Sequence, residues 1–464
     1  MKYFPFLLLS LTILLVATPT HGTHLRCGQI VVEQLESGGK TVRIKIQMWL
    51  NTINTDVQFG GEDEWLDFGD GTHMLVPETE SVLRPDLGAG VAFAEFTVDH
   101  TYAQMGAYTV SYSEPNRNAG IINIDGAVNT RLYLESRFTL FQDRRYQTPS
   151  PLLEPFFRGA AGRDFSVSLA ATDANDLLLL YSLHTPLREK ATPVVNFRSP
   201  ASLTLGPVTG LLSWDGTLHD QPLAGEFLFA LRIRQIDDED EWKEVGYMYR
   251  DIQVLLSNSE DASGRIADNT KREEVIVVPE HTSTTVRVFA YPAEDEIVTF
   301  SVATSLPQDN YAFATYDSLS DDQEIVVGKI TVEATPAMTR SIPYVFSIRT
   351  KFTTSADDWH ARDVSYAFST AAFDIPVEEP PITSVGSEMA LTVTPNPFRD
   401  FIRVNSSNEA PRQLGIYSVT GQQIMHVSDP SGDVFHLPQL PAGMYLLKCT
   451  LPDGRILFSR IVKE

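Results

Sequence analysis

Residues 65–74 read WLDFGDGTHM. Asp67-Phe68-Gly69 has the form of the metal-holding triplet of a protein kinase, Asp70-Gly71 that of a calcium-loop turn, and the whole stretch that of a tight β-turn. A kinase also needs an H-R-D-type catalytic loop upstream and a strand lysine, because Mg²⁺ and phosphate are held from several sides. Neither accompanies the triplet. A calcium loop ending its tight turn at Gly71 would place its oxygen donors at Leu66, Phe68 and Asp70, and two of these have no side-chain oxygen. The GGKT at 38–41 mimics the end of a phosphate-binding loop, but the first glycine of that motif falls on Gln34. The turn remains: Gly69 and Gly71 supply positive φ, and Asp67 and Asp70 are placed to hydrogen-bond nearby backbone.

Downstream, HTYAQMGAYTVSY (100–112) is a turn followed by an alternating strand. Together the two stretches resemble the polycystic-kidney-disease type of Ig-like domain, which pairs W-D-F-G-D-G with H-T-Y-x-x-x-G-x-Y-T-V. Asp67, Phe68, Gly69, Asp70 and Gly71 match the first half, and His100, Thr101, Tyr102, Gly106 and Tyr108 match the second, continuing into Thr109 and Val110. Leu66 stands at the tryptophan position, with Trp65 shifted by one. The resemblance implies an Ig-type β-sandwich, and for His100 a packing and hydrogen-bonding role at a strand entrance.

Alternation of apolar and polar residues continues beyond this module. TVRIKIQMWL (41–50), TTVRVFAYP (284–292), EIVTFSVATS (296–305) and IPYVFSIRTKF (342–352) have the period of half-buried strands and are rich in β-branched and aromatic residues. No capped stretch of a dozen residues has a convincing helical period. The expected fold is all-β: tandem Ig-like β-sandwich domains with a small C-terminal β-sandwich. Polar, turn-rich residues 259–274 and the proline-bearing VEEPPITSVGSE (377–388) read as linkers, with a softer break near 146–155. The expected organisation is a leader at 1–22, domains at 23–145, 146–258 and 275–376, and a final domain at 389–464. The 275–376 block has at least five strand-like runs and no nameable motif.

The leader is read from Lys2, the apolar run Phe4 to Ala17, and TPTHG with cleavage after Gly22, the order of a secretory signal peptide. The run is too short to span a bilayer comfortably, Leu25-Arg26 before Cys27 argue against a lipid attachment site, and no other stretch approaches membrane-spanning length. The mature chain is thus expected outside the cytoplasm without a membrane span. Sixty acidic against 36 basic residues give a formal charge of −24, which repels phosphate backbones and anionic lipid, so nucleic acid is not an expected partner.

In the second block, FSVSLAATDANDLLLLYSL (165–183), ASLTLGPVTGLLSWDG (201–216) and LAGEFLFALRIRQIDDED (223–240) resemble the cadherin-like and Ig-like domains of bacterial surface proteins. The resemblance implies a calcium site at the acidic turn, for which Asp173, Asn175 and Asp176 are the oxygen donors; the residues alone read as a solvated turn. The acidic run 237–241 reads as a solvated hairpin tip.

The last block holds LTVTPNPFRDFIRV (391–404), LGIYSVTGQQIMHV (414–427) and LPQLPAGMYLLKCTLPDGR (437–455), short strands joined by Gly and Pro turns. With Pro395, Asn396 and Pro397, a V-T-G turn at Gly421, the run Leu440, Pro441, Ala442, Gly443 and Tyr445, and a basic, hydrophobic end at Lys463, it resembles the C-terminal sorting domain of the type IX secretion system of Bacteroidota. That resemblance implies export by the type IX machinery, removal of the domain, and release or attachment to surface lipopolysaccharide. Removal would carry Cys449 away and leave Cys27, the other cysteine, alone, so a disulfide between them is not expected. G-x-S-x-G, H-E-x-x-H, C-x-x-C and dinucleotide-binding glycines are all missing. The expected function is a noncatalytic surface adhesin or ligand-binding protein, with a glycan or a protein as partner and the loops 74–93 and 183–200 as candidate recognition segments. A spacer or accessory subunit of a glycan-uptake or gliding complex is the alternative, and a hidden hydrolase the remaining one.

Overall fold

The computed structural model describes residues 25–463 apart from 54–58, 62–63, 201, 215–223, 238–241, 259–263, 269–274, 321–322, 356–357, 374–390, 407–412, 419–422, 429–433, 438 and 451–455. The expected leader with Gly22, the 377–388 linker and Gly421 lie outside these residues. The chain divides between Pro376 and Val377 into two compact units. The described residues are all-β, with strands and three short 3₁₀ turns.

The N-terminal strands are β1 (Leu25–Gln34), β2 (Thr41–Asn51), β3 (Trp65–Asp67), β4 (His73–Leu75), β5 (Val82–Leu83), β6 (Val91–Thr101), β7 (Ala107–Glu114) and β8 (Leu132–Thr139). β1-β2-β6-β5 and β4-β3-β7-β8 enclose one core. The alternation in β2 decides which face turns inward: Val42, Ile44, Ile46 and Met48 are buried, while Arg43, Lys45 and Gln47 face out. Each such aliphatic side chain contributes about 1.5–3 kcal/mol by leaving water, and Ile46→Ala would cost about 2–5 kcal/mol by opening a cavity. Leu66 is fully buried in this core and Trp65 is 47% exposed, so the one-residue shift in the motif puts leucine where the tryptophan would pack.

The strand Lys243–Ser257 belongs to both the first and the second sandwich. Its Tyr247 and Met248 pair with Arg137 and Ser136 of β8, and its Arg250 pairs with Gln29 of β1, closing the side between the two sheets. Along its length it forms a hairpin with Gly225–Asp237, and its last residues run parallel to Phe156–Ala160. Its far half covers a second core, in which Trp214 meets Phe227 and Phe229 edge-on at 5.0 and 6.0 Å. Asp237, expected at a solvated tip, is instead buried and ion-paired with Arg144; residues 238–241 of that run lie outside the described set.

The block without a motif is a sandwich of two four-stranded sheets around Val286, Val288, Ile330, Val332, Phe346, Ile348, Val364 and Tyr366. Part of the segment that reads as a linker, Arg265–Asp268, is an edge strand of this sandwich paired with Ser283–Tyr291, because Ile266 finds the core. The strand Trp359–Ser369 is buried along its whole length. Val364, Tyr366 and Phe368 fill its own core, while the opposite face, with Asp363 and Ser365, docks on the second sandwich. There the Asp363 carbonyl accepts from the Ser166 hydroxyl at 2.7 Å, and its carboxylate accepts from the Ser168 amide at 2.8 Å and from Arg349 at 2.9 and 3.0 Å.

The C-terminal unit stacks the sheet Leu391–Thr394, Phe401–Ser406, Val434–His436 on the sheet Gln423–Ser428, Gln413–Ser418, Gly443–Thr450, Ile456–Lys463. Its core includes Val393, Phe398, Ile402, Ile416, Leu447, Cys449 and Ile461. Both cysteines are free, and burial pushes the thiol of each up.

Candidate functional site

At 65–74 the polar atoms of the motif bind one another. Asp67 Oδ1 accepts from the Gly69 amide at 2.8 Å, and Asp70 Oδ1 accepts from the Thr72 amide and hydroxyl at 2.9 and 2.6 Å. His100 Nε2 lies 2.8 Å from Asp70 Oδ2, and its ring stacks on Phe68 at 3.9 Å with planes 6° apart. The Tyr102 hydroxyl donates to the Phe68 carbonyl at 2.8 Å and its ring lies 4.0 Å from Tyr108, whose hydroxyl donates to the Gln104 carbonyl. Thr101 meets Thr41 hydroxyl to hydroxyl at 2.9 Å. Gly69 is required by both φ (+79°) and space, since a Cβ would sit 2.2 Å from the Thr109 carbonyl oxygen; Gly71 and Gly106 have φ of +89° and +144° in open space. Burial opposes the Asp70 carboxylate, but the hydrogen bonds from Thr72 and His100 outweigh it and hold its pKa below the ordinary value. The arrangement locks a loop onto a strand entrance.

At the acidic turn, Asp173 Oδ1 accepts from the amides of Asn175 and Leu177 at 2.8 and 3.1 Å, and Oδ2 accepts from Gln235 at 2.5 Å. Burial raises the pKa of Asp173 against these bonds. Asn175 Nδ2 donates to the Arg145 carbonyl, and Asp176, at φ 54°, accepts from Arg340 of the third sandwich at 2.6 Å. The Arg340 guanidinium also donates to the carbonyls of Ile342 and Pro343. Calcium wants six to eight free oxygens. This donor set does not fit it, because two oxygens already hold N–H groups and a third holds a guanidinium. Among the described residues no group of three His, Cys, Asp or Glu is placed to hold a metal ion.

The candidate loops are pinned rather than open. Within 74–93, β5 pairs with β6, and Arg84 clamps Asp86 at 2.9 and 2.7 Å and Glu154 at 3.0 Å. Within 183–200, Leu187–Glu189 and Thr192–Pro193 make a small hairpin, Arg117 donates to the Leu187 carbonyl, and Arg198 pairs with Asp125.

One contact has the form of a nucleophile and base: Ser182 Oγ lies 3.0 Å from His184 Nε2. Such a pair acts when an acid orients the other ring nitrogen and the imidazole titrates near neutrality. The remaining contact of His184 among the described residues is the edge of the Tyr249 ring at 5.4 Å, and burial, reinforced by Arg232 and Arg234, pushes its pKa down to about 4. It is a poor base at neutral pH.

In the C-terminal unit, residues distant in sequence meet. Asn396 Oδ1 accepts from the Val462 amide at 2.8 Å, and the Phe398 amide donates to the Val462 carbonyl at 2.8 Å. Lys463 Nζ donates to the Leu437 carbonyl at 3.2 Å and lies 5.3 Å above the Phe398 ring. The Tyr445 hydroxyl donates to the Pro441 carbonyl at 2.8 Å, Leu440 packs on the core, and Gly443 takes φ +156°. The Pro395-Asn396-Pro397 turn and the end of the last strand at Lys463 therefore form one structure.

A chain of tandem β-sandwiches followed by a module of this kind is a multidomain β-protein. Residues 392–464 match the family model described as the secretion system C-terminal sorting domain, and this module is a type IX sorting domain. It indicates export to the cell surface or the medium and implies interaction with the type IX machinery. No curated protein matches the chain. Among solved structures, the N-terminal eight Ig domains of Down Syndrome Cell Adhesion Molecule isoform 1.30.30 match at 11% identity, over 95% of this chain and 49% of that one, with a TM-score of 0.16. The chain thus spans about half of that protein's length, and at this score the likeness carries no weight. Among the described residues no helix is long and apolar enough to cross a membrane.

Proposed function

We propose that the protein is a noncatalytic adhesin or ligand-binding protein of the outer cell surface, delivered by the type IX machinery and held there through lipopolysaccharide after its tail is removed. Supporting this reading most is the continuity of the N-terminal unit: the strand Lys243–Ser257 joins the first two sandwiches, and Asp363 ties the third to the second. Sheet faces and loops held rigidly relative to one another lose little freedom on binding, which favours recognition. The Asp173–Asp176 turn, on this reading, is a strut between sandwiches, and the protein uses no cofactor. A spacer or accessory-subunit role is the second reading, favoured by the same continuity because sandwiches joined in this way transmit position and force.

The test uses cells that export the full chain and cells that lack it, probed on broad panels of surface glycans and cell types. Retention by a defined ligand class that depends on the protein is expected. Silence across the panels, with the protein shown folded at the surface, removes the adhesin reading; loss of a co-purifying complex on deletion then favours the spacer.

A further inference from the structure

Joining the first two sandwiches lays seven strands side by side, in the order β4, β3, β7, β8, Lys243–Ser257, Gly225–Asp237, Leu178–His184. Directly opposed residues share a face. Arg137 opposes Tyr247, Tyr247 opposes Arg234, Tyr249 opposes Arg232, and Arg232 opposes Ser182. These residues turn away from the two cores, whose contributions from the same strands are Leu134, Phe138, Leu231 and Ile233. Three separate stretches of sequence therefore build one outward patch of tyrosine and arginine.

Its electrostatics are unbalanced. Glu244 draws Arg234 at 2.5 Å, Arg232 at 3.0 Å and Arg137 at 3.7 Å. The nearby Glu135 accepts from the hydroxyls of Tyr133 and Tyr247 at 2.9 and 2.8 Å. Three guanidiniums face two carboxylates, a local positive excess on a chain of net charge −24. Arg137 is the most exposed of the three, at 43%, and the most loosely paired. The low pKa of His184, caused by burial and then by Arg232 and Arg234, reports the same field. The Arg232 guanidinium lies 4.2 Å from the Tyr247 ring centre, and Tyr247 and Tyr249 meet edge to face at 5.6 Å, so two half-buried rings flank the charges.

We propose that this face binds an anionic polysaccharide, with a carboxylate or phosphate on Arg137 and sugar rings against Tyr247 and Tyr249. Guanidinium forks bind carboxylate and phosphate groups through paired N–H bonds, and a tyrosine ring offers an apolar face, suited to the C–H face of a sugar, with a hydroxyl at its rim. Tyrosine and arginine also occur at protein–protein interfaces, but the centres of those interfaces are depleted of glutamate, whereas Glu244 sits at the centre of this patch with Glu135 beside it, which favours a hydrated polymer over a protein. The inference rests on the ligand-binding reading above and names its ligand class.

Affinity electrophoresis of the full chain through gels containing polygalacturonate, a phosphorylated mannan or neutral dextran tests it, with Arg137→Gln and, as a control on β2, Arg43→Gln. Wild type is expected to be retarded by an anionic polymer and not by dextran, with the two anionic arms separating carboxylate from phosphate. Arg137→Gln should weaken retardation roughly tenfold, the worth of one charge-assisted hydrogen bond, and Arg43→Gln should leave it unchanged. Equal weakening by both variants, or retardation that survives Arg137→Gln, overturns this face while leaving the adhesin reading standing. Failure of wild type to respond to either anionic polymer also overturns it, and binding to a different class in the broad panels would show that the adhesin reading survives.

Discussion

Glu114, at the end of β7, is 2% exposed and accepts hydrogen bonds from the Tyr112 hydroxyl and the Gly60 amide. Burial, helped by Glu64 and opposed by Tyr112, Gly60 and Arg131, pushes its pKa from 4.5 up to about 7. The folded protein therefore holds a proton that the unfolded chain has released between those two values. The stability tied to this group is full below about pH 4.5, falls as pH rises toward 7, and is then level; the rise corresponds to about 3 kcal/mol. Glu114→Gln keeps an oxygen that accepts both hydrogen bonds and removes the charge that burial penalises. The variant should match wild type near pH 4 and exceed it by up to about 3 kcal/mol at pH 8. Hydrogen exchange of the β7 amides across this range reads the first sandwich alone, which matters in a chain with several cores. A difference between variant and wild type that is the same at every pH, or a variant less protected at pH 8, would refute the reasoning.

Asp70→Ala removes the acceptor for Thr72 and the partner of His100; it should lower stability by about 1–3 kcal/mol, seen as a lower melting temperature. Because the folded pKa of Asp70 is depressed, the difference from wild type should shrink as pH falls below 3.8 and through the folded value. Asp363→Ala leaves Arg349 and the Ser168 amide unanswered at a buried junction and should cost about 3–5 kcal/mol, with proteolysis expected between the second and third sandwiches. Calcium at roughly millimolar concentration, the range of extracellular modules, should leave the melting temperature where a chelator leaves it; a calcium-dependent rise that Asp173→Asn abolishes would reverse the reading of the acidic turn.

Local motifs carried most of what was legible in the sequence. The turn at 65–74 follows from the conformational needs of Gly69 and the short reach of Asp67 and Asp70, both encoded within a few residues. The alternation in β2 likewise encodes which face is buried. Errors arose where a polar residue had a distant partner. Asp237 reads as solvated because Arg144 lies nearly a hundred positions away, and the contact of Asp176 with Arg340 is likewise hidden because Arg340 belongs to another sandwich. Arg265–Asp268 reads as linker because Ile266 and the small Ala267 beside it show no alternation long enough to mark a strand.

The same limit explains why the tyrosine–arginine face was invisible and why it matters. Period-two alternation says that Tyr247, Tyr249, Arg232 and Arg234 share a side of their hairpin, but it is silent on which strand lies beyond the hairpin's edge. That neighbour is β8, joined through Tyr247–Arg137 and fastened by the Tyr247 hydroxyl on Glu135. Had the hairpin edge stayed open, Arg137 would stand alone on the first sandwich, and Tyr247 would present an unpaired backbone edge prone to pairing with other chains. Closing the sandwich thus does two things with one strand: it protects an edge, and it gathers three guanidiniums around Glu244, more positive charge than that carboxylate can neutralise. An edge need be covered only by backbone, and any residues on the outward side would serve. The collection of arginine and tyrosine there is what the closure alone does not require, and it is the reason to look for a ligand on this face.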